Sequence, residues 1–324
     1  MRCLLDVAAD GLARFAEAGG PRSLEPEAVL FRAPLDGFGV PGLWSTNRSC
    51  RLVPARDGWL AVTLARDEDR DAVPALTGCA LDADPWDAIK AFAATQGAEE
   101  ILSQAIALHL PVAIVGEANP ATAPALADVV QRSGKAKVLD LSALWAGPLC
   151  GGLLAKAGLD VTRIESPTRP DPTAKSSPAL DAWLNGAKTR RSMALDDPHL
   201  LDLIAGTDIL VTSGRPHALA RKGLSEETLF ALNPGLIWVA VTAHGWRGDA
   251  ALRVGFGDDA AAAGGLLAGT PKQPRFMGDA LADPLTGLEA AVHALEALTA
   301  RKCGLIDAAL APTVALYAQR IGLR

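Results

Sequence analysis

The regular alternation of short apolar strands with helical segments is the feature that most constrains the fold of this chain. It begins at "KVLDL", runs through the glycine-rich turn "WAGPLCGGLLAKAG" into a helix, and continues into the strand "DVTRIE". Further apolar segments, separated by helices, follow as "RRSMALD", "TDILVTSG" and "GLIWVAVTA". Because neighbouring parallel strands need crossover helices, this order predicts a parallel α/β sheet. We place this α/β domain at residues 133–324.

The part of the chain before this sheet has a different pattern. "CRLVPARDGWLAVTLARDEDRDAVPAL" is typical of a β-hairpin that turns at Asp57–Gly58 and is followed by a helix. The segment after it predicts two helices and a strand, and "ANPATAPA" (118–125) is a linker candidate because it places prolines among small residues. We therefore predict a smaller, N-terminal α+β domain at residues 1–128.

Composition and charge exclude several classes of function. The net charge of −6 over 324 residues argues against broad binding to nucleic acid. The five cysteines are scattered without CxxC spacing, which favours a reducing cytoplasm over a disulfide framework and predicts no metal site. No run of about 18 apolar residues occurs, so we expect no membrane-spanning segment.

The glycine-rich turn after the first strand of the sheet is a candidate phosphate site. Helix N-termini present free N–H groups to anions, and the glycines here are Gly147, Gly151 and Gly152. Glu165, at the end of the second strand, stands where dinucleotide folds carry their ribose-binding acid. The spacing is not GxGxxG, so a dinucleotide dehydrogenase is only weakly indicated, and a tight turn with close helix packing is the alternative.

Two basic clusters follow strands of the same predicted sheet. "NGAKTRRSMALD" carries Lys188, Arg190 and Arg191, and "SGRPHALARKG" adds Arg215, Arg221 and Lys222. Guanidinium groups suit phosphate because their fork matches two oxygens at once. Ordinary solvated surface is the alternative interpretation of such clusters.

An acidic residue opens the apolar helix near the end of the chain. In "GDALADPLTGLEAAVHALEAL" (278–298), Asp283 is followed by Pro284 and, four residues on, by Gly287. Asp before Pro commonly starts a helix, which predicts that Asp283 is a cap. The helix dipole and free N–H groups would also keep this carboxylate ionised, and an ionised carboxylate can attack an acyl group. The residues alone leave both roles open.

From Val138 onward the chain resembles the family III CoA transferases, whose relatives include formyl-CoA transferase, carnitine CoA-transferase and α-methylacyl-CoA racemase. "VLDLSALWAGPLCGGLLAKAGLDVTRIESP" is similar to the family's opening strand, AGP turn, helix and second strand. Five further family motifs are resembled in the same order by "LNGAKTRRSMALDD", "TDILVTSGRPHALARKGLS", "NPGLIWVAVTAHGW", "GFGDDAAAAGGLLAG" and "LADPLTGLEAAVHALEAL". The resemblance covers nearly all of 138–312 and implies a Rossmann-like large domain.

The resemblance also implies roles for particular residues. Members of the family carry their nucleophilic aspartate four residues before the glycine of the last motif, which here is Asp283, with Asp279 as the fallback. The CoA-binding residues that it implies are Lys188, Arg190, Arg191, Arg215, Arg221, Glu165, Ala146 and Gly147.

The segment around Phe256 departs from the family's pattern. Phe256 replaces the histidine base of the racemase branch, which counts against racemisation. The acid found one residue later in the transferase branch is Gly257 here, and Asp258 or Asp259 would substitute for it only if the backbone shifts.

Three other positions differ in the regions expected to contact the substrates. Ser213 and Gly214 replace the family's asparagine and phenylalanine, which puts two nucleotide contacts in question. Trp145 replaces a glutamine of formyl-CoA transferase, and a bulky apolar residue there suggests a larger or more hydrophobic acyl group.

The order of the two domains is unusual for this family. "RLVPARDGWLAVTLARDEDRDAVPAL" and "GAEEILSQAIALHLPVAIV" are similar to small-domain motifs that family members carry after the large domain. We therefore predict a circularly permuted member, with the loop Gly37–Ser45 near the active site.

The predicted activity is that of a CoA transferase, which moves CoA from an acyl-CoA to a free carboxylic acid through an aspartyl anhydride and an aspartyl-CoA thioester. We expect no tightly bound cofactor, no nucleic-acid or membrane partner, and a cytoplasmic homodimer as in the family. One alternative is an acyl-CoA racemase or epimerase with His244 or an acid near Asp258 as second base. A non-catalytic CoA-binding protein is the other.

Overall fold

The computed structural model of the protein describes residues 3–32, 38–129 and 135–324. Gly37, the first residue of the predicted active-site loop, and position 133, the predicted start of the large domain, lie outside these ranges. None of the described helices is both long and apolar enough to cross a membrane.

The elements up to the predicted linker and its short strand are α1 Leu4–Glu17, α2 Pro26–Leu30, β1 Cys50–Pro54, β2 Trp59–Thr63, α3 Asp67–Asp71, α4 Val73–Thr77, α5 Pro85–Ala93, α6 Ala98–Ala107, β3 Val112–Ile114 and β4 Ala127–Asp128. The alternating elements that follow are β5 Lys137–Asp140, α7 Ala146–Lys156, β6 Asp160–Glu165, α8 Thr173–Ser176, α9 Pro178–Asn185, β7 Thr189–Ser192, α10 His199–Ala205, β8 Ile209–Thr212, α11 Pro216–Ala220, α12 Glu226–Leu232 and β9 Ile237–Thr242. The last elements are a short 3-10 helix Gly248–Leu252, α13 Gly257–Ala263, β10 Leu267–Thr270, β11 Gln273–Phe276, α14 Ala282–Thr299, β12 Lys302–Ala309 and α15 Leu310–Arg320.

The large sheet contains seven strands in the order β4-β12-β9-β8-β5-β6-β7. All neighbours in it are parallel except β4, which pairs antiparallel with β12. The six parallel strands, numbered along the chain from β5, therefore stand in the order 3-2-1-4-5-6. That is the strand order of a Rossmann fold, so the predicted α/β class and the Rossmann-like large domain are confirmed.

Helix α14 lies at the centre of the main hydrophobic core. It packs against α7, β12, α15 and α1, and Leu285, Leu288 and Val292 are fully buried there. Gly287 allows α7 to approach closely, because a Cβ at this position would lie 2.6 Å from the carbonyl oxygen of Ala146. The start of α14 and the turn that opens α7 are thereby brought side by side.

The small sheet has the antiparallel order β1-β2-β3 and carries its own core. As predicted, β1 and β2 form a hairpin around Asp57–Gly58, in which the N–H of Ala55 donates to the carbonyl of Gly58 at 2.8 Å. Helices α3 to α6 cover this sheet, with Ile101 and Leu102 buried against it. This unit is the expected α+β structure.

The two N-terminal helices belong to the large unit, which differs from the predicted small domain of 1–128. Val7, Phe15 and Leu30 are buried in the main core, and α1 and α2 both pack against α14. Their apolar faces pack against a helix of the large unit. This contact joins residues that are far apart in the chain, so local sequence does not predict it. The core of the small unit is formed by residues between β1 and β3.

Helix α13 joins the two units. Ala262 packs with Leu52 and Ala61 of the small sheet, and its carbonyl accepts the N–H of Gly116 at 2.9 Å. The first turn of α13 consequently lies where the small sheet, α14 and the loop before α14 meet.

Candidate active site

Asp283 is the second residue of α14 and lies within its first turn. Leu281 occupies the N-cap position and makes no side-chain capping bond, while the N–H of Asp283 donates to the carbonyl of Ala280 at 2.9 Å. A cap must precede the helix to reach its free N–H groups, so the prediction that Asp283 is a cap is wrong.

Gly257 provides the space that the Asp283 carboxyl group occupies. A Cβ built on Gly257 would overlap Asp283 Oδ2 and would come within 2.7 Å of both Cβ and the carbonyl oxygen of Ala280. The departure from the family's acid at this position therefore has a steric reason: no side chain fits between Gly257 and Asp283.

Asp258 holds the loop that leads into α14. Its Oδ1 accepts the N–H of Ala280 at 2.9 Å, and the Ser45 hydroxyl interacts with the same carboxylate. Ala280 has a φ of 46°, a left-handed conformation that costs a non-glycine residue about 1–2 kcal/mol. The carbonyl of Ala280 in turn accepts the N–H of Asp283, so two hydrogen bonds connect Asp258 to Asp283.

Three further charged groups surround this pair. Asp259 is fully buried and its Oδ1 accepts the N–H of Phe256 at 2.7 Å. Asp279, the fallback nucleophile, is held by Arg32, whose Nη2 donates to Oδ1 at 2.8 Å. Because Asp279 is engaged by a guanidinium, the structure favours Asp283 over Asp279 as the reactive carboxylate.

The clustering of carboxylates changes their acidity. Burial raises the pKa of Asp283 to about 8, with the carboxylates of Asp258, Asp259 and Asp279 adding to the shift and Arg32 opposing it. Burial likewise raises the pKa of Asp258 and of Asp259 to about 7. The expectation that the helix terminus keeps Asp283 ionised is therefore reversed at neutral pH, because desolvation outweighs the helix dipole.

His244, an alternative second base, lies beside this cluster. A Cβ built on Gly255 would stand 3.0 Å from Asp259 Oδ1 and 3.4 Å from His244 Nε2, so the two side chains flank the same glycine. Burial, followed by the charge of Arg253, lowers the pKa of His244 to about 3. Its imidazole is neutral at physiological pH.

The turn between β5 and α7, which precedes Ala146 and Gly147, is held by side chains from the loops that follow β6 and β8. The N–H of Ala143 donates to Ser213 Oγ and the N–H of Leu144 donates to Asp171 Oδ2, both at 2.9 Å. Ser213 therefore has a structural function at this turn. Ala146 and Gly147 begin α7 and are buried.

The side chain of Lys188 is fully buried, so its ammonium group is not accessible to a phosphate in solvent. Its three N–H groups are taken by Asp140 Oδ2 at 2.6 Å, the carbonyl of Pro148 at 2.7 Å and Asn185 Oδ1 at 2.8 Å. An ammonium group has three donors, so none is left for CoA. The structure contradicts the prediction that Lys188 binds CoA.

Glu165 and Arg190 pair with each other and with neighbours. Glu165 Oε1 accepts from Arg163 Nε at 2.9 Å and from Arg190 Nη1 at 3.3 Å, and Arg190 also contacts Asp181 at 2.5 Å. Arg191 is exposed on the edge strand β7. Arg190 is thus largely neutralised within the fold.

The second predicted cluster, Arg215 and Arg221, forms part of a larger basic patch. Burial, and then the charges of nearby guanidinium groups, lower the pKa of Arg215. Those groups belong to Arg66, Arg221 and Arg169. Arg215 Nη1 also lies 3.1 Å from His109 Nδ1. We refer to Arg66, Arg169, Arg215 and Arg221 as the arginine patch. No local signal in the sequence connects Arg66 and Arg169 with the other two, because they come from separate parts of the chain.

A cleft of about 1340 Å³ lies along another side of α14. Thr286, Glu289 and His293 face it, whereas Asp283 is not among its lining residues. Within the described ranges, no group of His, Cys, Asp and Glu side chains is arranged to hold a metal ion.

Comparison with known proteins finds a match for residues 135–319 with the model of CoA-transferase family III. The chain is 36% identical over 199 residues, 55% of its length, to the beta subunit of succinyl-CoA–L-malate CoA-transferase from Chloroflexus aurantiacus, covering 49% of that protein. It is 34% identical over 180 residues, 51% of its length, to succinyl-CoA–D-citramalate CoA-transferase from the same organism, covering 45% of it. The chain thus spans about half the length of the curated relatives it matches.

Among solved structures, a CAIB/BAIF family protein from Brucella suis superposes with a TM-score of 0.53 at 28% identity. The match covers 58% of this chain and 55% of that one.

Proposed function

The chain belongs to CoA-transferase family III, and on this premise we propose that it moves CoA from an acyl-CoA to a free carboxylic acid with Asp283 as the nucleophile. The observation that carries the proposal is the fit of the Asp283 carboxyl group into the space left by Gly257, at the start of a buried helix. Related CoA transferases that act on succinyl-CoA support the reaction class.

The proposed reaction begins with attack of the Asp283 carboxylate on the thioester carbonyl carbon. The C–S bond breaks, CoA leaves as a thiolate, and a mixed anhydride forms between Asp283 and the acyl group. The thiolate then attacks the aspartyl carbonyl, which releases the donor acid as a carboxylate and leaves an aspartyl-CoA thioester. The acceptor acid repeats both steps in reverse and regenerates free Asp283.

The state of Asp283 sets the pH dependence of this reaction. Only the ionised carboxylate attacks, and the pKa of Asp283 is raised to about 8 by burial and neighbouring carboxylates. The rate of acyl transfer is therefore expected to rise with pH, with its midpoint near pH 8, and to level off roughly one pH unit above that. Asp258, through Ala280, would keep the carboxylate in place while it reacts.

The arginine patch is the proposed site for the phosphates of CoA. Burial, and then the positive charges of Arg66, Arg221 and Arg169, lower the pKa of Arg215. Phosphate oxygens would relieve that repulsion with charge-assisted hydrogen bonds. Arg191, Arg190, Ala146 and Gly147 stay predicted contacts, of which Arg190 has competing acidic partners.

The assembly and the order of the chain are further parts of the proposal. A homodimer in the cytoplasm and a circularly permuted domain order are expected from the family resemblance. Sedimentation of the purified chain at several concentrations would test the dimer.

Intact-protein mass spectrometry after incubation with a panel of acyl-CoA thioesters tests the proposed function. We expect a mass increase equal to a CoA thioester, mapped to the peptide that contains Asp283 and missing from Asp283→Ala. If CoA binds but no thioester yields an adduct, the chain is not a CoA transferase, and exchange of the α-proton in deuterated water would then separate a racemase from a non-catalytic CoA-binding protein.

A further inference from the structure

Arg32 is a nearly buried guanidinium beside the proposed nucleophile. Its side chain is 14% exposed, and Asp279 binds it through two contacts, Nε to Oδ2 at 2.5 Å and Nη2 to Oδ1 at 2.8 Å. Among the charged side chains that act most strongly on Asp283, Arg32 is the positive one and the others are carboxylates.

Two aromatic rings fix the guanidinium group in place. Its central carbon lies 4.4 Å from the ring centroid of Phe38 and 5.3 Å from that of Trp145. Asp279 accepts a hydrogen bond from Nη2, the Nε group lies close to Oδ2 without a hydrogen bond, and no acceptor for Nη1 is present among the described residues. A guanidinium has five N–H donors, so donors remain that a bound ligand can use.

Trp145 adds a second unused donor at the same place. Its side chain is 5% exposed, and its Nε1–H is buried with no hydrogen-bond partner in the described part of the chain. An unpaired buried N–H is costly and is rare in folded proteins unless a ligand or water completes it. The tryptophan ring contacts Arg32, which does not favour the larger or more hydrophobic acyl group that Trp145 suggests in the sequence.

We propose that Arg32, together with the Nε1–H of Trp145, binds the second carboxylate of a dicarboxylic substrate while its first carboxyl group reacts at Asp283. This inference rests on the proposed function, because it names the class of acyl group for the same site. A guanidinium fork matches a carboxylate with two parallel hydrogen bonds, and the stacked rings pre-organise it.

The carboxylates around the nucleophile mean that a dicarboxylic substrate needs a cation at the site. A substrate with a second negative charge would be repelled by Asp258, Asp259 and Asp279 unless a cation received that charge. Arg32 supplies that cation within the same cluster. Succinyl-CoA and butyryl-CoA carry acyl groups of four carbons that differ only at the terminal carbon, which is a carboxylate in the first and a methyl group in the second, so they form a matched pair of probes.

The test measures how fast each thioester forms the CoA adduct on Asp283, by intact-protein mass spectrometry under single-turnover conditions. For the wild-type protein we expect succinyl-CoA to react at least about tenfold faster than butyryl-CoA at equal subsaturating concentration, as expected for a hydrogen bond between charged groups. In Arg32→Gln this ratio should fall by about tenfold to hundredfold. Trp145→Phe, which removes the N–H and keeps the ring, should lower the ratio severalfold.

Two controls keep the result interpretable. Arg32→Gln leaves Asp279 without its partner, so the double variant Arg32→Gln with Asp279→Asn restores charge balance and should show the same loss of selectivity. Arg22→Gln changes an exposed arginine of the same N-terminal segment and should keep the wild-type ratio.

The outcomes separate this inference from the proposed function. Adducts that form at equal rates from both thioesters, or a ratio unchanged in the double variant, would overturn the role of Arg32 while leaving the CoA-transferase proposal intact. No adduct from either thioester overturns the proposed function and this inference with it.

Discussion

Two carboxylates, the fully buried Asp140 at the end of β5 and the partly buried Asp283 at the start of α14, differ in what surrounds them. Asp140 receives the ammonium of Lys188 at 2.6 Å and the N–H of Ser142 at 2.9 Å, and Arg163 lies 3.8 Å away. Asp283 is surrounded by other carboxylates, with Arg32 as its opposing charge, and its pKa is raised to about 8 by burial and by those carboxylates.

The difference shows how one residue type takes two roles in one domain. A buried acid that is fully paired fixes the elements around it, and removing its partner leaves an uncompensated charge. A desolvated acid without a paired cation is held at a cost to stability, and such groups concentrate at functional sites. Asp140 has the first arrangement and Asp283 the second.

The largest effect expected from this comparison is the loss of activity in Asp283→Asn. The amide keeps the shape of the side chain but cannot form an anhydride, so the rate of CoA transfer should fall by at least about 10³-fold. The free energy of unfolding should stay the same or rise at pH 8.5, because an uncompensated charge is removed. An enzyme assay and urea unfolding of the same preparation measure both. A large loss of stability at this pH would place Asp283 with Asp140 as a structural acid.

Lys188→Met, in contrast to Asp283→Asn, should lower the stability of the protein. It leaves Asp140 buried with its closest cation removed, so the free energy of unfolding should decrease by about 3–5 kcal/mol in urea unfolding. The double variant Asp140→Asn with Lys188→Met removes both charges and should recover most of that loss. Equal destabilisation in the single and double variants would contradict a role for the ion pair.

Gly257→Ala tests the steric part of the comparison. The new methyl group would occupy the place of Asp283 Oδ2 and displace the carboxylate, which is expected to lower the rate of adduct formation by about 100-fold. Gly206→Ala is the matched control, since the nearest atom to a Cβ there is 3.8 Å away. Adduct formation at the wild-type rate in Gly257→Ala would show that Asp283 reacts from another position.

The smallest effect concerns the pH dependence of stability. The pKa of Asp283 is about 8 in the folded protein, raised by burial from a usual value of 3.8, so the folded state binds more protons than the unfolded state between these values. The stability that the protonated Asp283 side chain contributes to the folded state is fully present below about pH 4. It is lost as the pH rises through 8, so the free energy of unfolding decreases over this range. Between pH 5 and pH 8.5 the decrease in unfolding free energy should be smaller in Asp283→Asn than in the wild type, by on the order of 1–3 kcal/mol. Parallel curves in urea unfolding would contradict the raised pKa.

Much of the large domain follows from local patterns in the sequence. The alternation of apolar strands and helices predicts the parallel sheet because each segment must bury an apolar face, and the Asp57–Gly58 hairpin follows from turn chemistry. The motif order identifies the family. The N-terminal helix α1, in contrast, was assigned to the small domain, since an amphipathic pattern specifies that a face is buried but not what covers it.

Some residues of the candidate site were likewise predicted from the sequence, and others were not. Asp283 was predicted from its motif, whereas Lys188 was predicted to bind CoA and is instead enclosed by three acceptors. Arg66 and Arg169 were not predicted because they lie far from Arg215 in the sequence and approach it only in the folded protein. The residue types in the loop before α14 gave no indication that Asp258 would support Ala280.

The sequence by itself determined the fold class and the family, and it supplied the proposal that Asp283 is the reactive aspartate, because these depend on periodicity and on motifs that are contiguous in the chain. Only the tertiary structure decided which charges are paired and which are not. The protonation of Asp283, the engagement of Lys188 and the position of Arg32 beside Trp145 all depend on burial and on contacts between residues far apart in the chain. Desolvation and Coulomb interactions are set by distances in space, and these arise only when the strands and helices pack.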